Sequence, residues 1–391
     1  MHVPWCVRKC PYCDFNSHAL DSSTPPYFLR QEILPETAYL EALVTDLKQE
    51  LPYIRGRQVS SIFIGGGTPS LISPRGIERL LTDIHSHLSI AANAEITLEA
   101  NPGTVDAMRF SGFKVAGINR ISLGIQSFDD GCLARLGRIH DGAEARVAFE
   151  RARQAGFDNI NLDLMFGLPD QTLEGIQVDL STAFSLGPEH ISYYQLTLEP
   201  HTAFYHNPPP LPDDDVRWTM QEEGLTLLDA AGYTQYEISA YAQPGRRCRH
   251  NLNYWEFGDY LGIGAGAHGK ITGEDGISRR WKLRNPRNYL AGIQNHPTIS
   301  NQHVDGNELV TTADLPVEFM LNVLRLIEGV PTPFYTQRTG LALASIEEKL
   351  TIARAWGWLE EQKDRLIPTA RGRRFLNDLL ELFLPNNNNE S

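Results

Sequence analysis

From the start of the chain to about residue 199, short runs of apolar and β-branched residues alternate with longer stretches of helical periodicity. This alternation predicts consecutive βα units around a parallel sheet. The predicted strands are residues 59–64, 95–99, 120–125, 159–165 and 190–196, each followed by a polar or glycine-rich turn where a helix can begin. Five units in a row predict an α/β fold, a complete or partial TIM-type (βα) barrel. In such barrels the loops after the C-terminal strand ends build the active site.

Beyond this region the pattern changes. The segment Asn207-Pro-Pro-Pro-Leu-Pro-Asp-Asp-Asp215 cannot continue a helix or a central strand, and predicts a boundary loop before a helix beginning near Asp213. Residues 235–276 are rich in aromatic residues and glycine and predict an irregular extension of the sheet. Helical patterns dominate from about residue 311, at 316–328, 343–356 and 371–384, with a short hairpin expected around 362–364. The expected division is a core barrel over 1–206, a sheet extension and connecting region over 207–310, a small, mainly helical, winged-helix-like unit over 311–385, and a disordered polar tail over 386–391.

Composition narrows the class. The chain has 391 residues, 41% hydrophobic and 21% charged, which suits a globular protein with a sizeable core. A net charge of -13 opposes non-specific attraction to nucleic acid or to an anionic membrane. The C-terminal segment 308–391 carries nine Lys or Arg against twelve Asp or Glu, the wrong sign for phosphate contacts. No apolar run is long enough to span a bilayer and no leader-like segment opens the chain, so a cytoplasmic protein is expected, not an integral membrane one.

The five cysteines do not form a disulfide framework, since three are packed into Cys6-Val-Arg-Lys-Cys10-Pro-Tyr-Cys13. Three thiolates in one short loop can bind three corners of an iron-sulfur cubane and leave its fourth iron open. A closed zinc site would want four ligands, usually in two distant pairs, and Cys132 and Cys248 are isolated. Further candidates sit at predicted strand ends. Gly65-Gly66-Gly67-Thr68-Pro69 permits close approach of backbone to a ligand. Glu99 can accept hydrogen bonds from ribose hydroxyls or an ammonium, Gln126 offers an acceptor and donors, and Arg138 can pair bidentately with a carboxylate. Asp163, in Asn161-Leu-Asp-Leu-Met165, completes the group.

The CxxxCxxC spacing together with the glycine-rich strand end resembles the radical S-adenosylmethionine superfamily over the whole barrel. The resemblance implies a 4Fe-4S cluster on Cys6, Cys10 and Cys13 whose open iron is chelated by S-adenosylmethionine, and reductive cleavage of that cofactor to a 5'-deoxyadenosyl radical. It implies that Tyr12 lies against the adenine and that Gly66, Gly67, Thr68, Glu99, Gln126, Arg138 and Asp163 hold the cofactor, with Arg138 on its carboxylate. Tyr12 could equally be ordinary packing beside the cluster.

The segments His2-Val-Pro-Trp-Cys6, Gln126-Ser-Phe128, Asp163-Leu-Met-Phe-Gly-Leu-Pro169 and Tyr194-Gln-Leu-Thr197 resemble the oxygen-independent coproporphyrinogen III oxidase group. The oxidases carry a fourth cysteine two residues after the third, where this chain has Phe15. Conversely, His250-Asn-Leu-Asn-Tyr-Trp255 is similar to the HNxxYW signature of the HemW family of heme chaperones. That resemblance implies a heme-binding protein that delivers heme to heme-dependent acceptors such as respiratory enzymes, with a homodimer left open.

From chemistry alone His250 could ligate heme iron or be a hydrogen-bonded structural histidine, and Cys248 is a second possible iron or vinyl partner. The alternative reading is an enzyme, the coproporphyrinogen oxidase itself or another radical tetrapyrrole enzyme. One further departure is that relatives have a full first strand, whereas this chain begins five residues before Cys6, so either the first strand is short or the start lies upstream.

Overall fold

The computed structural model describes residues 1–20, 34–54, 56–294 and 302–385. Short strands open the chain: β1 (His2–Val3), β2 (Trp5–Cys6) and β3 (His18–Ala19), the last two paired with each other in parallel. The predicted βα units follow as β4 (Val59–Gly66), β5 (Ile90–Ala100), β6 (Arg120–Gln126), β7 (Ile160–Phe166) and β8 (His190–Gln195). Two further strands, β9 (Thr234–Gln235) and β10 (Ala240–Ala242), complete an eight-stranded sheet in the order β1-β4-β5-β6-β7-β8-β10-β9. Pairing is parallel from β1 through β8 and antiparallel for β10 and β9. This is the partial-barrel α/β architecture that the alternation predicts.

Each crossover helix begins where a side chain can accept its free N–H groups. Ser73, Asp106, Asp141 and Thr172 cap the helices Pro74–His87, Ala107–Val115, Gly142–Gln154 and Leu173–Leu186, and Asp141 forms a capping box with Glu144. The outward positions of the strands, such as Ile121, Leu123, Ile125, Ile160, Leu162 and Leu164, pack under these helices in one large core. The alternate positions are polar: Glu95, Thr97 and Glu99 on β5, Arg120 and Ser122 on β6, Asn161 and Asp163 on β7, His190 and Ser192 on β8. With a side-chain period of two, these all point into the barrel.

Three expectations need correction. Residues 235–276 extend the sheet only in part: β9 and β10 add antiparallel strands beyond β8, and the rest forms other elements. The His250 motif lies on the helix Arg249–Trp255, and residues 268–273 start a separate antiparallel sheet, His268–Gly273, Gly276–Lys282 and Val304–Leu309. The helix expected over 316–328 is Leu315–Val323 and gives way to turns before Gly329, whose left-handed backbone ends any helical run. The last helix is two, Ala370–Arg374 and Leu376–Glu381, broken at Phe375 with φ -109° and ψ 42°. The hairpin near 362–364 is present, bridged by Leu359 and Pro368. A second core, built around Phe319, Met320, Val323, Tyr335, Leu350 and Phe383, fills the C-terminal part. The expected tail at 386–391 lies outside the described residues.

The three-stranded sheet is fastened to the helix Glu36–Ile54 by charge. Lys282, 1% exposed, donates to Asp46 at 2.6 Å and Glu50 at 2.5 Å, while Tyr289 and His303 also contact Asp46 at 2.8 and 2.9 Å. Burial alone would raise the Asp46 pKa, but His303 and Lys282 hold it below the usual carboxylate value. Removing one member strands the others without water. Lys282→Met is therefore expected to cost roughly 3–5 kcal/mol of stability, read from urea unfolding midpoints; a change under about 1 kcal/mol would show that the network carries little.

Candidate functional site

The C-terminal ends of the parallel strands open into a cavity of about 490 Å³. Its wall contains Cys6, Cys10, Cys13, Tyr12, Gly66, Gly67, Thr68, Glu99, Gln126, Arg138 and Asp163, all the residues assigned from sequence to cluster and cofactor. His250 is absent from this wall.

The cysteine loop is placed by backbone contact. Gly65 N and Gly67 N donate to Met1 O and Val3 O, and Thr68 N donates to Trp5 O. Gly66 has φ +120°, and a Cβ there would come within 2.9 Å of the His2 ring and of Val3 O; one on Gly67 would meet Trp5 O at 2.6 Å. Only glycine allows this approach. Between β2 and β3 the chain then loops out with its three thiols. Burial raises the pKa of Cys6 and Cys13, which a metal's positive charge would reverse. Among the described residues no three His, Cys, Asp or Glu side chains converge on one point as a single-ion site demands. Three thiols on one loop can hold three corners of a multi-iron cluster, whereas a closed zinc site wants four ligands. Phe15, where a fourth cysteine would stand in the oxidases, is 59% exposed.

The opposite wall is polar and strained. Glu99 accepts from Gly66 N at 3.0 Å, and burial, with the neighbouring Asp163 carboxylate, pushes its pKa up to about 7. Asp163 is raised by burial as well, although it accepts from Asn161 and Ser122. Gln126 ends β6 with φ +74°, a conformation rare outside glycine, and its Oε1 accepts from Tyr194 at 2.7 Å. His140 holds that turn, its ring within 3.1 Å of Ile125 O and 3.2 Å of Asn101 Oδ1. Arg138 donates to Gly124 O at 2.6 Å and to Cys10 Sγ at 3.6 Å, while its Nε is buried with no partner among the described residues. A buried guanidinium with a spare donor calls for an anion beside the thiols.

Tyr194 stands in the sequence reading only within the motif Tyr194-Gln-Leu-Thr197, without a role, and His140 and Asn101 are not singled out there. Tyr194 carried a signal, being polar-tipped at the end of a predicted strand. His140 and Asn101 carried none, because they act through loops that only the fold brings together.

His250 lies at the other end of the barrel. The helix Arg249–Trp255 starts on Glu95, whose Oε1 accepts from Arg249 N at 2.9 Å and His250 N at 3.3 Å. The His250 ring stacks on Phe63 with centroids 4.5 Å apart, and Phe63 in turn underlies Gly65. An aromatic ring thus separates the histidine from the cavity. Burial, helped by the Met1 ammonium and Arg120, drops its pKa to about 3, so the imidazole is neutral. It faces a groove of about 380 Å³ that follows the edge of β4 with Met1, Tyr260 and Ile263. Cys248 is 1% exposed, with Sγ 3.5 Å from Glu95 and 3.3 Å from Asn251. Enclosed in this way, it cannot reach an iron or a vinyl group, and that expectation is withdrawn.

A model of the radical SAM superfamily matches residues 1–183, and one of the HemN C-terminal domain matches residues 310–375. The chain is 50% identical to the "Heme chaperone HemW" of Escherichia coli (strain K12), covering 98% of this chain and 97% of that protein. It is 34% identical to the "Heme chaperone HemW" of Bacillus subtilis (strain 168), covering 98% of each. Among solved structures, the coproporphyrinogen III oxidase (HemN) of Escherichia coli superposes with a TM-score of 0.79 at 22% identity over 98% of this chain and 88% of that one, a likeness of fold.

Glu99 gives a pH test of the site. Its raised pKa means that the folded protein binds a proton the unfolded chain has released, so stability falls as pH rises from about 4.5 to about 7. In the cofactor-free protein Glu99→Gln should be more stable than the parent at pH 8, on the order of 1–2 kcal/mol, and equal to it at pH 4.5. Thermal midpoints at both pH values check this, and an equal gap at both would refute the assignment.

Proposed function

The chain belongs to the HemW family of heme chaperones within the radical S-adenosylmethionine superfamily, and on that premise we propose that it binds heme and passes it to heme-dependent acceptor proteins such as respiratory enzymes, with a 4Fe-4S cluster and S-adenosylmethionine as resident cofactors. The observation that carries the cofactor reading is the single cavity that joins the three thiols to a buried guanidinium, whose Nε has no partner among the described residues, and to a glycine cradle.

In this reading Cys6, Cys10 and Cys13 would ligate the cluster, with one iron left open for S-adenosylmethionine. Gly66, Gly67 and Thr68 would receive the amino group, Arg138 with its spare Nε would meet the carboxylate, and Glu99 and Gln126 would hold the ribose. Asp163 supports the polar wall, and Tyr12 packs on the adenine. The cofactor pair supplies one-electron cleavage chemistry when reduced.

For heme, the helix Arg249–Trp255 offers His250, whose neutral imidazole is the form that ligates iron, with Tyr254 edge-on at 4.9 Å. No hydrogen bond of either ring nitrogen to a described residue competes with a metal. No described helix is long and apolar enough to cross a membrane, and the proposed place of work is the cytoplasm.

The oxidase alternative is not favoured. The relatives at 34–50% identity are heme chaperones by name, and an exposed phenylalanine replaces the fourth sulfur. Anaerobic incubation of the reconstituted protein with coproporphyrinogen III, S-adenosylmethionine and a reductant should give no protoporphyrinogen, while the same preparation binds heme stoichiometrically. Product formation would reverse the conclusion.

Each of Cys6→Ala, Cys10→Ala and Cys13→Ala should abolish the visible cluster absorbance, whereas Cys132→Ala and Cys248→Ala retain it; full iron content in the triple variant would sink the cluster assignment. His250→Ala should shift the Soret band or weaken heme retention by about tenfold or more. An unaltered spectrum and affinity would remove His250 as a ligand.

A further inference from the structure

The barrel interior holds a chain of buried polar side chains that the cofactor reading leaves unused. Asn161 Nδ2 donates to Asp163 Oδ1 at 2.8 Å and to Ser122 Oγ at 2.8 Å. Asn161 Oδ1 accepts from Ser192 Oγ at 3.1 Å and faces His190 Nδ1 at 2.6 Å. His190 Nε2 lies 2.8 Å from the Tyr236 hydroxyl, and that oxygen accepts from Cys248 N at 3.3 Å. Cys248 is the N-terminal flank of the helix Arg249–Trp255. His190 is 0% and Tyr236 1% exposed, so no water competes.

The direction of every proton in this chain follows from the Asp163 carboxylate and the neutrality of His190, since the Tyr236 oxygen can take the Cys248 N–H in either case. The backbone N–H of Cys248 can only donate, and a carboxylate at Asp163 can only accept. Asn161 must therefore turn its NH₂ toward Asp163 and its carbonyl toward His190. A neutral imidazole has one donor and one acceptor, so His190 carries its proton on Nδ1 and accepts at Nε2 from Tyr236. Burial pushes the His190 pKa well below its ordinary value, which keeps the ring in that neutral state.

We infer that His190 and Tyr236 are positioning residues for Asp163: with Asn161 they form a one-way hydrogen-bond relay that ties the Asp163 carboxylate to the start of the helix bearing the His250 motif. The inference rests on the reading of Asp163 as part of the S-adenosylmethionine site. A change at either end leaves a buried donor or acceptor unsatisfied along the whole relay. By linkage, what the helix does to cofactor affinity the cofactor does to the helix.

Two measurements test this. In full-length protein labelled with ¹⁵N-histidine, the His190 signal, assigned by its loss in His190→Gln, should show the Nδ1–H tautomer unchanged from pH 6 to 8. In cluster-reconstituted protein the dissociation constant of S-adenosylmethionine should rise about three- to tenfold in Tyr236→Phe. It should stay within about twofold in Cys248→Ala, which empties the side-chain space beside Tyr236 but keeps the relay's N–H.

An Nε2–H tautomer in the parent protein, parent-like affinity in Tyr236→Phe, or equal weakening in both variants would overturn the relay. If the parent protein binds no S-adenosylmethionine, the functional reading fails instead, and the tautomer of His190 decides the relay by itself. That measurement needs no variant other than the one used for assignment, so it stands even if Tyr236→Phe does not fold.

Discussion

The backbones of Gly66 and Gly67 run against those of Val3 and Trp5 with no room for a side chain between them. Every feature of the cavity depends on this contact. It fixes the two-residue strand β1 to β4, carries the cysteine loop over the strand ends, and frees Gly66 N to hold Glu99. A methyl group at Gly67 would meet the Trp5 carbonyl at 2.6 Å and push the thiols away from the cradle they face. The contact is backbone to backbone, so it does not depend on rotamers, and the placement it gives is correspondingly stiff.

Beneath that contact, the interior of the barrel is polar where most barrels are filled by branched apolar layers. Glu95, Arg120, Ser122, Asn161, Asp163, His190 and Ser192 occupy the inward positions. Arg120 is 2% exposed and its Nε has no partner among the described residues, yet Glu95 and Asp163 lie near enough for their charge to stabilise it. Such an interior is costly in folding energy unless its hydrogen bonds are satisfied. Burial within it pushes the pKa of Glu99 up to about 7 and raises that of Asp163. Carboxyl groups held in this way respond strongly to a cationic ligand, since an arriving positive charge relieves the penalty that burial imposes.

The motif around His250 shows how a short family signature can carry two physical roles. Its first residues extend the barrel floor: Glu95 takes the free N–H groups of the helix start, and the His250 ring closes against Phe63. Its later residues face the other way, with Trp255 packing on the C-terminal core and Tyr254 stacking on Tyr260 at 4.1 Å. The helix is thus the mechanical joint between barrel and C-terminal unit, whatever ligand it also meets.

The sequence by itself determined the βα alternation, most strand positions to within a few residues, the cysteine loop, and the residues from Gly66 to Asp163 that line one cavity. These are local matters: a period of two against 3.6, a glycine run where backbone must come close, and three thiols within eight residues. It misjudged residues 249–255 as irregular, because seven residues with mixed aromatic and polar character have no readable period, and the start of their helix is held by the carboxylate of Glu95, far away in the chain. It could not separate His250 from the cysteine cavity, since the ring of Phe63 intervenes only in three dimensions. The protonation of Glu99, the orphaned donor of Arg138 and the run of hydrogen bonds from Asp163 to Cys248 were decided by tertiary structure alone. They depend on burial and on partners from different strands, and neither is a property of any stretch of sequence.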